Sequence, residues 1–206
     1  MNTNEAKLFK VAEAQQGFFT TKQAVACGYA KANHSYHVGT GAWLREHRGI
    51  YRLARFPASP EGQYVLWSLW SRNRQELPQG VFSHQTALSI YELSDVMPAK
   101  LHLTVPPGFR RSSALPQVLT LHRAALPESD LEQRQGYRLV RPLRAIVDLL
   151  YDGTESKDRL LQALQEALSR GLITQTELRH HPDLGKFMTS LAKRKAPRHQ
   201  RNVHKA

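Results

Sequence analysis

The chain has 206 residues, 41% of them apolar, which allows one large domain or two small ones. A single cysteine, Cys27, can neither close an internal disulfide nor build a cysteine-based zinc site. The net charge is +12 and no apolar run approaches the roughly 20 residues that span a bilayer, so a cytoplasmic protein with an acidic partner is expected and a membrane protein is not.

The stretch NEAKLFKVAEAQQG carries an apolar stripe of Leu8, Val11, Ala12 and Ala14 and predicts a first helix stopped by Gly17. Thr20 and Gln23 then stand at capping-box spacing, with Phe19 and Ala24 placed for a hydrophobic staple. They open a short second helix that runs to Cys27 and turns at Gly28. AKANHSYHVGTG predicts a third short helix ended by Gly39 and Gly41. Trp43 to Glu46 and Ile50 to Leu53 read as two strands joined through His47, Arg48 and Gly49, the glycine supplying the left-handed turn. Helix, helix, tight turn, helix and hairpin in under sixty residues is the order of a winged helix-turn-helix.

A linker, PASPEG, leads to the nearly all-apolar helix EGQYVLWSLWSRN, expected to pack on more than one neighbour. VFSHQTALSIYELS predicts a short strand and a helix capped by Ser83. KLHLTVPPG and QVLTLHRAAL alternate as strands, through Leu101, Leu103 and Val105, then Val118, Leu119 and Leu121. YRLVRPLRAIVDLL is a strand turning into a helix near Pro142. SKDRLLQALQEALSRG is an amphipathic helix stopped by Gly171, with two further short helices starting at Gln175 and Leu184. The expected class is α+β: a winged helix-turn-helix over residues 1–56, a mixed α/β unit over 57–190, and a basic, disordered tail over 191–206.

The charge is segregated. Residues 1–56 hold eight Lys and Arg against three Asp and Glu, residues 57–190 fifteen against fourteen, and residues 191–206 six against none. This points to a polyanion partner, with double-stranded DNA the leading candidate. In a winged architecture the third helix offers Lys31, Asn33, Ser35 and Tyr36 to the major groove, where Asn pairs with adenine and Lys reaches guanine or phosphate. On the wing, Arg45, Arg48 and Arg52 are phosphate partners, while Tyr51 and Leu53 alternate with them towards the core.

Signals for chemistry are weak. Ser83 stands beside His84 without the G-x-S-x-G elbow of a hydrolase, and a capping role fits it better. His34 and His37 share a helix face at i and i+3, but no third metal ligand is near them in sequence. A metal-dependent nuclease needs carboxylates on its central strands, and KLHLTVP, VLTLHR and GYRLV contain none. Asp148, Asp152, Glu155 and Asp158 fall on helices or turns beside Lys and Arg. No catalytic residue, metal or cofactor is expected. The alternative is a nuclease or nucleic-acid-modifying enzyme that uses the winged unit for delivery.

FFTTKQAVACGYAKANHSYHVGTGAWLREHRGIYRLARFP resembles the N-terminal winged-helix domain of the AbiEi family, the antitoxins of type IV abortive-infection toxin–antitoxin systems. VFSHQTALSIYELSDVMPAKLHLTVPPGFRR and LVRPLRAIVDLL resemble that family's C-terminal antitoxin domain. The resemblance implies a transcriptional repressor that binds inverted repeats upstream of its own operon. It also implies a role in phage defence, countering a nucleotidyltransferase-type toxin without a need for stable contact. It assigns the DNA role to Lys31, Asn33, Arg48, Gly49 and Tyr51, and it places His34 and His37 inward. No long heptad surface demands a dimer, so a monomer in solution is expected.

Overall fold

Helix α1 (Thr3–Glu13) buries Leu8 and Ala12 and ends in a turn where Gln16 and Gly17 both take positive φ. The structure, a computed structural model, describes residues 3–93, 95, 98–112, 114–181 and 184–185. The expected basic tail, and the last helix beyond its first two residues, lie outside the described residues.

Strand β1 (Phe18–Thr20), which the sequence pattern does not announce, precedes α2 (Thr21–Ala26). The capping box forms in full: Thr20 Oγ1 accepts from Gln23 N at 3.2 Å, and Gln23 Oε1 accepts from Thr20 N at 2.8 Å. A 3₁₀ turn (Lys31–Asn33) leads into α3 (His34–Gly39), so the single third helix expected is two short pieces. β2 (Trp43–His47) and β3 (Ile50–Leu53) make the wing, turning at Gly49 with φ +73°. The small sheet has the order β1-β3-β2, antiparallel throughout, with Thr20 opposite Ile50 and Arg45 opposite Tyr51.

The expected linker is pinned rather than free. Ser59 Oγ donates to Gln16 Oε1 at 2.8 Å, and Gln16 Nε2 donates to Glu61 Oε2 at 3.1 Å. Helix α4 (Gly62–Trp70) comes next, with Val65, Leu69 and Trp70 buried and Tyr64, Leu66 and Trp67 half-buried. It lies between the small sheet and a larger one, which is why it is apolar nearly all round.

The larger sheet contains β4 (Val81–Phe82), β5 (Leu101–Val105), β6 (Leu119–Arg123), β7 (Leu131–Arg134) and β8 (Tyr137–Val140), in the order β6-β5-β4-β8-β7. The β5–β6 and β4–β8 pairs are parallel, and β4–β5 and β7–β8 are antiparallel. Helices α5 (His84–Ile90), α6 (Pro142–Asp152) and α7 (Lys157–Ser169) pack in succession, and α8 (Gln175–His180) opens with a second capping box, Thr174 with Glu177. Pro142 sits in the first turn of α6 as its sequence position suggests.

Two apolar clusters result. The smaller unites Leu8, Phe19, Ala24, Trp43, Tyr51 and Leu53. The larger belongs to the second sheet and its helices, yet Phe18 and Ile50 from the small sheet are part of it. β3 therefore buries both faces: Tyr51 and Leu53 towards α1 to α3, and Ile50 towards α4.

Candidate nucleic-acid interface

Three of the predicted contact residues meet at one groove of about 310 Å³ between α3 and the wing. Lys31, Ser35 and Arg45 line it with Thr21, His34 and Tyr51, and no carboxylate is among its walls. Arg45 reaches it because the register sets it opposite Tyr51, on the sheet face that looks towards the helices. Thr21 is an addition to the expected set. Its position as the first residue of α2 is legible in the sequence, but its approach to the wing depends on β1 pairing with β3.

Asn33 and Tyr36 are exposed on the same segment, Tyr36 at 68% of its accessible surface. Asn33 holds the N-cap position of α3, and its amide makes no capping bond, which leaves it available outward. Arg48 is exposed at the wing turn. Lys31, Arg45 and Arg48 form no ion pair with another described residue, whereas Arg55 is paired to Glu5 at 2.9 Å.

Arg52 stands elsewhere. Strand alternation puts it on the wing face opposite Tyr51, and the second unit covers that face. Its Nε donates to Glu46 Oε1 at 2.7 Å and its Nη1 to the Phe56 carbonyl at 2.8 Å, and its guanidinium lies 5.9 Å from the Phe18 ring centre. Its guanidinium is engaged within the wing, on the other sheet face from Arg45.

His34 and His37 are turned inward. His34 is buried, with Nε2 3.2 Å from the Tyr29 carbonyl, and His37 stacks on Trp43 at 4.6 Å between ring centres. Both help to hold α3 against the sheet.

A second constellation lies on the far side of the larger sheet. His84, His102 and His122 come together through the parallel pairing of β5 with β6 and the start of α5 above it. The His84 and His122 rings stack at 3.6 Å, and His102 Nδ1 lies 2.9 Å from His122 Nε2. Ser83 occupies the N-cap position of α5, but its hydroxyl does not cap the helix. Extended and fully buried, it accepts from Thr104 Oγ1 at 2.8 Å and lies 2.9 Å from His84 Nδ1. Burial, reinforced by the mutual repulsion of the imidazolium forms, pushes His84 down to about 3 and His102 to about 4. His122 is lowered by burial too. The imidazoles spend nitrogens on one another and on Ser83, and no group of three or more His, Cys, Asp or Glu among the described residues is placed to hold a metal ion.

Strand β7, absent from the sequence pattern, carries Glu132, so the larger sheet does contain a carboxylate. It is occupied: Glu132 accepts from Tyr91 Oη at 2.8 Å and from Arg134 Nε. Asp148 is bound by Arg144 at 2.7 Å, and Arg144 also pairs with Asp130 at 2.9 Å. No helix of the described residues is long and apolar enough to cross a membrane.

Comparison with known proteins agrees with the geometry at the N-terminus. Residues 6–54 match the model of a family described as a transcriptional regulator, AbiEi antitoxin. Among solved structures, the RV2827C protein from Mycobacterium tuberculosis is similar with a TM-score of 0.46 and 14% identity, over 80% of this chain and 72% of that chain. Through residues 6–54, helix-turn-helix and wing together, the N-terminal unit of this chain is similar to the AbiEi antitoxin family of transcriptional regulators.

Proposed function

We propose that the chain represses its own operon by binding inverted repeats upstream of it, and that it acts as the antitoxin to a nucleotidyltransferase-type toxin. One observation carries the DNA half: Lys31, Ser35 and Arg45 line a single groove free of carboxylates, between the third helix and the wing. Asn33 and Tyr36 extend that surface for base contacts, and Arg48 extends it along the backbone. Residues 1–56 serve as the DNA-binding unit and residues 57–190 as the antitoxin unit. This function needs no catalysis by the chain itself.

The DNA half is tested by gel-shift titration of the full chain on its own upstream sequence and on random duplex of equal length. Specific repression requires clear preference for the former, and equal binding to both would end that reading. The antitoxin half is tested by co-expression with the neighbouring toxin, where growth must be restored. Phe18 and Ile50 belong to the larger core, so deletion of residues 1–56 would uncover it. The two halves are better separated by Arg48→Ala, which should spare growth rescue while weakening the DNA complex.

A further inference from the structure

The turn of the wing is held from the second unit. The Gly49 carbonyl accepts the first backbone N–H of α2, from Thr21, at 3.0 Å, and Arg72 Nη2 reaches the same oxygen at 3.5 Å. Arg72 comes just after α4 and is anchored there, with Nη1 donating to the Leu69 carbonyl at 2.7 Å. Four residues on, Glu76 brings one carboxylate oxygen to two elements at once: Oε2 accepts from Thr20 Oγ1, the cap of α2, at 2.7 Å and pairs with Arg72 Nε at 3.1 Å. Its other oxygen lies 3.4 Å from Lys22 Nζ, and Lys22 also donates to the Arg74 carbonyl at 2.9 Å.

The loop that presents these groups is braced. Asn73 Oδ1 accepts from the Gln75 and Leu77 amides at 2.9 and 3.0 Å, and the buried Ser71 hydroxyl accepts from Gln79 and Gly80 at 3.1 and 2.7 Å. Glu76 itself is held at φ +65°, a conformation that costs a non-glycine residue on the order of 1 kcal/mol and persists where surrounding contacts over-determine it. The turn itself lies beyond the last ladder pair, His47 with Ile50, so the orientation of its tip depends on what grips it.

We propose that the segment 71–76 is a strut that sets the wing turn at a fixed distance from the DNA-reading helices, with Arg72 and Glu76 as positioning residues for DNA binding. The strut has this role only if the chain binds DNA as proposed. It gives a purpose to an acid that plain electrostatics would disfavour: Glu76 stands beside a surface offered to phosphates, where a negative charge repels the duplex.

That opposition of sign supplies the test. Glu76→Ala raises the net charge of the chain and frees Lys22 and Arg72. Direct electrostatics therefore predicts equal or tighter binding, and a strut predicts weaker binding. The full chain and the variant are titrated by fluorescence anisotropy on the chain's own upstream duplex across a salt series. The expected result is an affinity lower by about tenfold with an unchanged salt slope, because the number of phosphates neutralised is the same. Equal or tighter binding by the variant, with the wild-type chain binding well, overturns the strut alone. A wild-type chain that does not bind removes the DNA reading and the strut with it.

Should Glu76→Ala fail to fold, Arg72→Met retains the buried stem and is read the same way. A slope shallower by about one unit would mean that Arg72 touches phosphate itself, and would overturn the proposal. A third readout needs no DNA. Amide exchange at Thr21, whose N–H is bonded to the Gly49 carbonyl, should accelerate about tenfold in either variant, and unchanged protection counts against the strut.

Discussion

Arg52 and Glu46 face each other across the wing, Nε to Oε1 at 2.7 Å, on the sheet face turned towards the second unit. Two wing arginines four residues apart in sequence thus have different work: Arg48 is exposed at the turn and Arg52 is 14% exposed in its side chain. Arg48→Ala should weaken binding to every duplex and flatten the log–log salt slope by about one unit. Arg52→Ala should leave that slope unchanged and cost about 1 kcal/mol of folding stability, since a partly buried, charge-assisted bond is lost. Salt titrations with urea unfolding of both variants check the pair. A slope change in Arg52→Ala would return that residue to the phosphate surface.

Asn33 should govern base choice. It stands at the start of α3, exposed, with an amide unused in capping. A bidentate Asn–adenine contact discriminates by about 1–3 kcal/mol. Asn33→Ala should therefore lower affinity for the operator while leaving affinity for random duplex nearly unchanged, and substitution at one base position should cease to matter. Binding measured over a panel of single-base operator variants decides this. Uniform weakening across the panel would make Asn33 a backbone contact.

How much of this surface is legible in the sequence depends on whether its cause is local. The Thr20–Gln23 capping box, the Gly49 turn and Pro142 at the start of α6 depend on residues within a few positions of one another, and each is where its spacing puts it. Arg52 departs from expectation because strand alternation assigns a face without saying what covers it. Phe18 and Ile50, by entering the larger core, turn an outer face into an inner one. Strand β7 is hidden in the sequence because Glu132, Gln133 and Arg134 lack a strand's apolar signal, although Gly136 marks the hairpin turn after it. The imidazole cluster has no sequence signature at all, because parallel strand pairing joins His102 to His122 and the packing of α5 on β5 brings His84 to them.

The hairpin turn at Gly136 also joins the two units, with the Gln135 carbonyl accepting from Gln16 Nε2 at 3.1 Å and Gln135 Nε2 donating to the Glu13 carbonyl at 2.7 Å. Gly136 has φ +88°, and a Cβ there would meet Val65 side-chain atoms at 3.0 and 3.1 Å and the Gln15 Cα at 3.2 Å. Both the backbone conformation and the close approach strain a larger residue there. Gly136→Ala should destabilise the chain by roughly 2 kcal/mol, more than the usual surface substitution, because the strain falls on two packed elements. Thermal and urea unfolding measure it. A cost below about 0.5 kcal/mol would mean that the α1–β1 turn yields freely there.

The packed imidazoles, His84 buried and His102 and His122 half-buried, give the fold a built-in acid sensitivity whose sign is fixed by their surroundings. His84 is packed against His122 and His102, with Ser83 and Thr104 on one side and Arg144, Asp148 and Asp152 around the opening. Burial and the neighbouring imidazoles lower its folded value to about 3 from an ordinary 6.5, outweighing the opposing pull of Asp152. A lowered folded value means that the unfolded chain takes up protons first, so the stabilisation is complete above about pH 6.5 and declines as pH falls towards the folded values. Between pH 6.5 and pH 5 the loss from His84 should be about 2 kcal/mol. His102, lowered to about 4, adds to the slope over the same interval. Urea midpoints recorded from pH 7.5 to pH 4.5 should fall steeply below pH 6.5 in the wild-type chain, and less steeply in His84→Asn, which removes the most depressed of the three. A flat profile down to pH 5 in the wild-type chain would mean that the imidazoles remain hydrated in solution and that the stacked arrangement is not the native one.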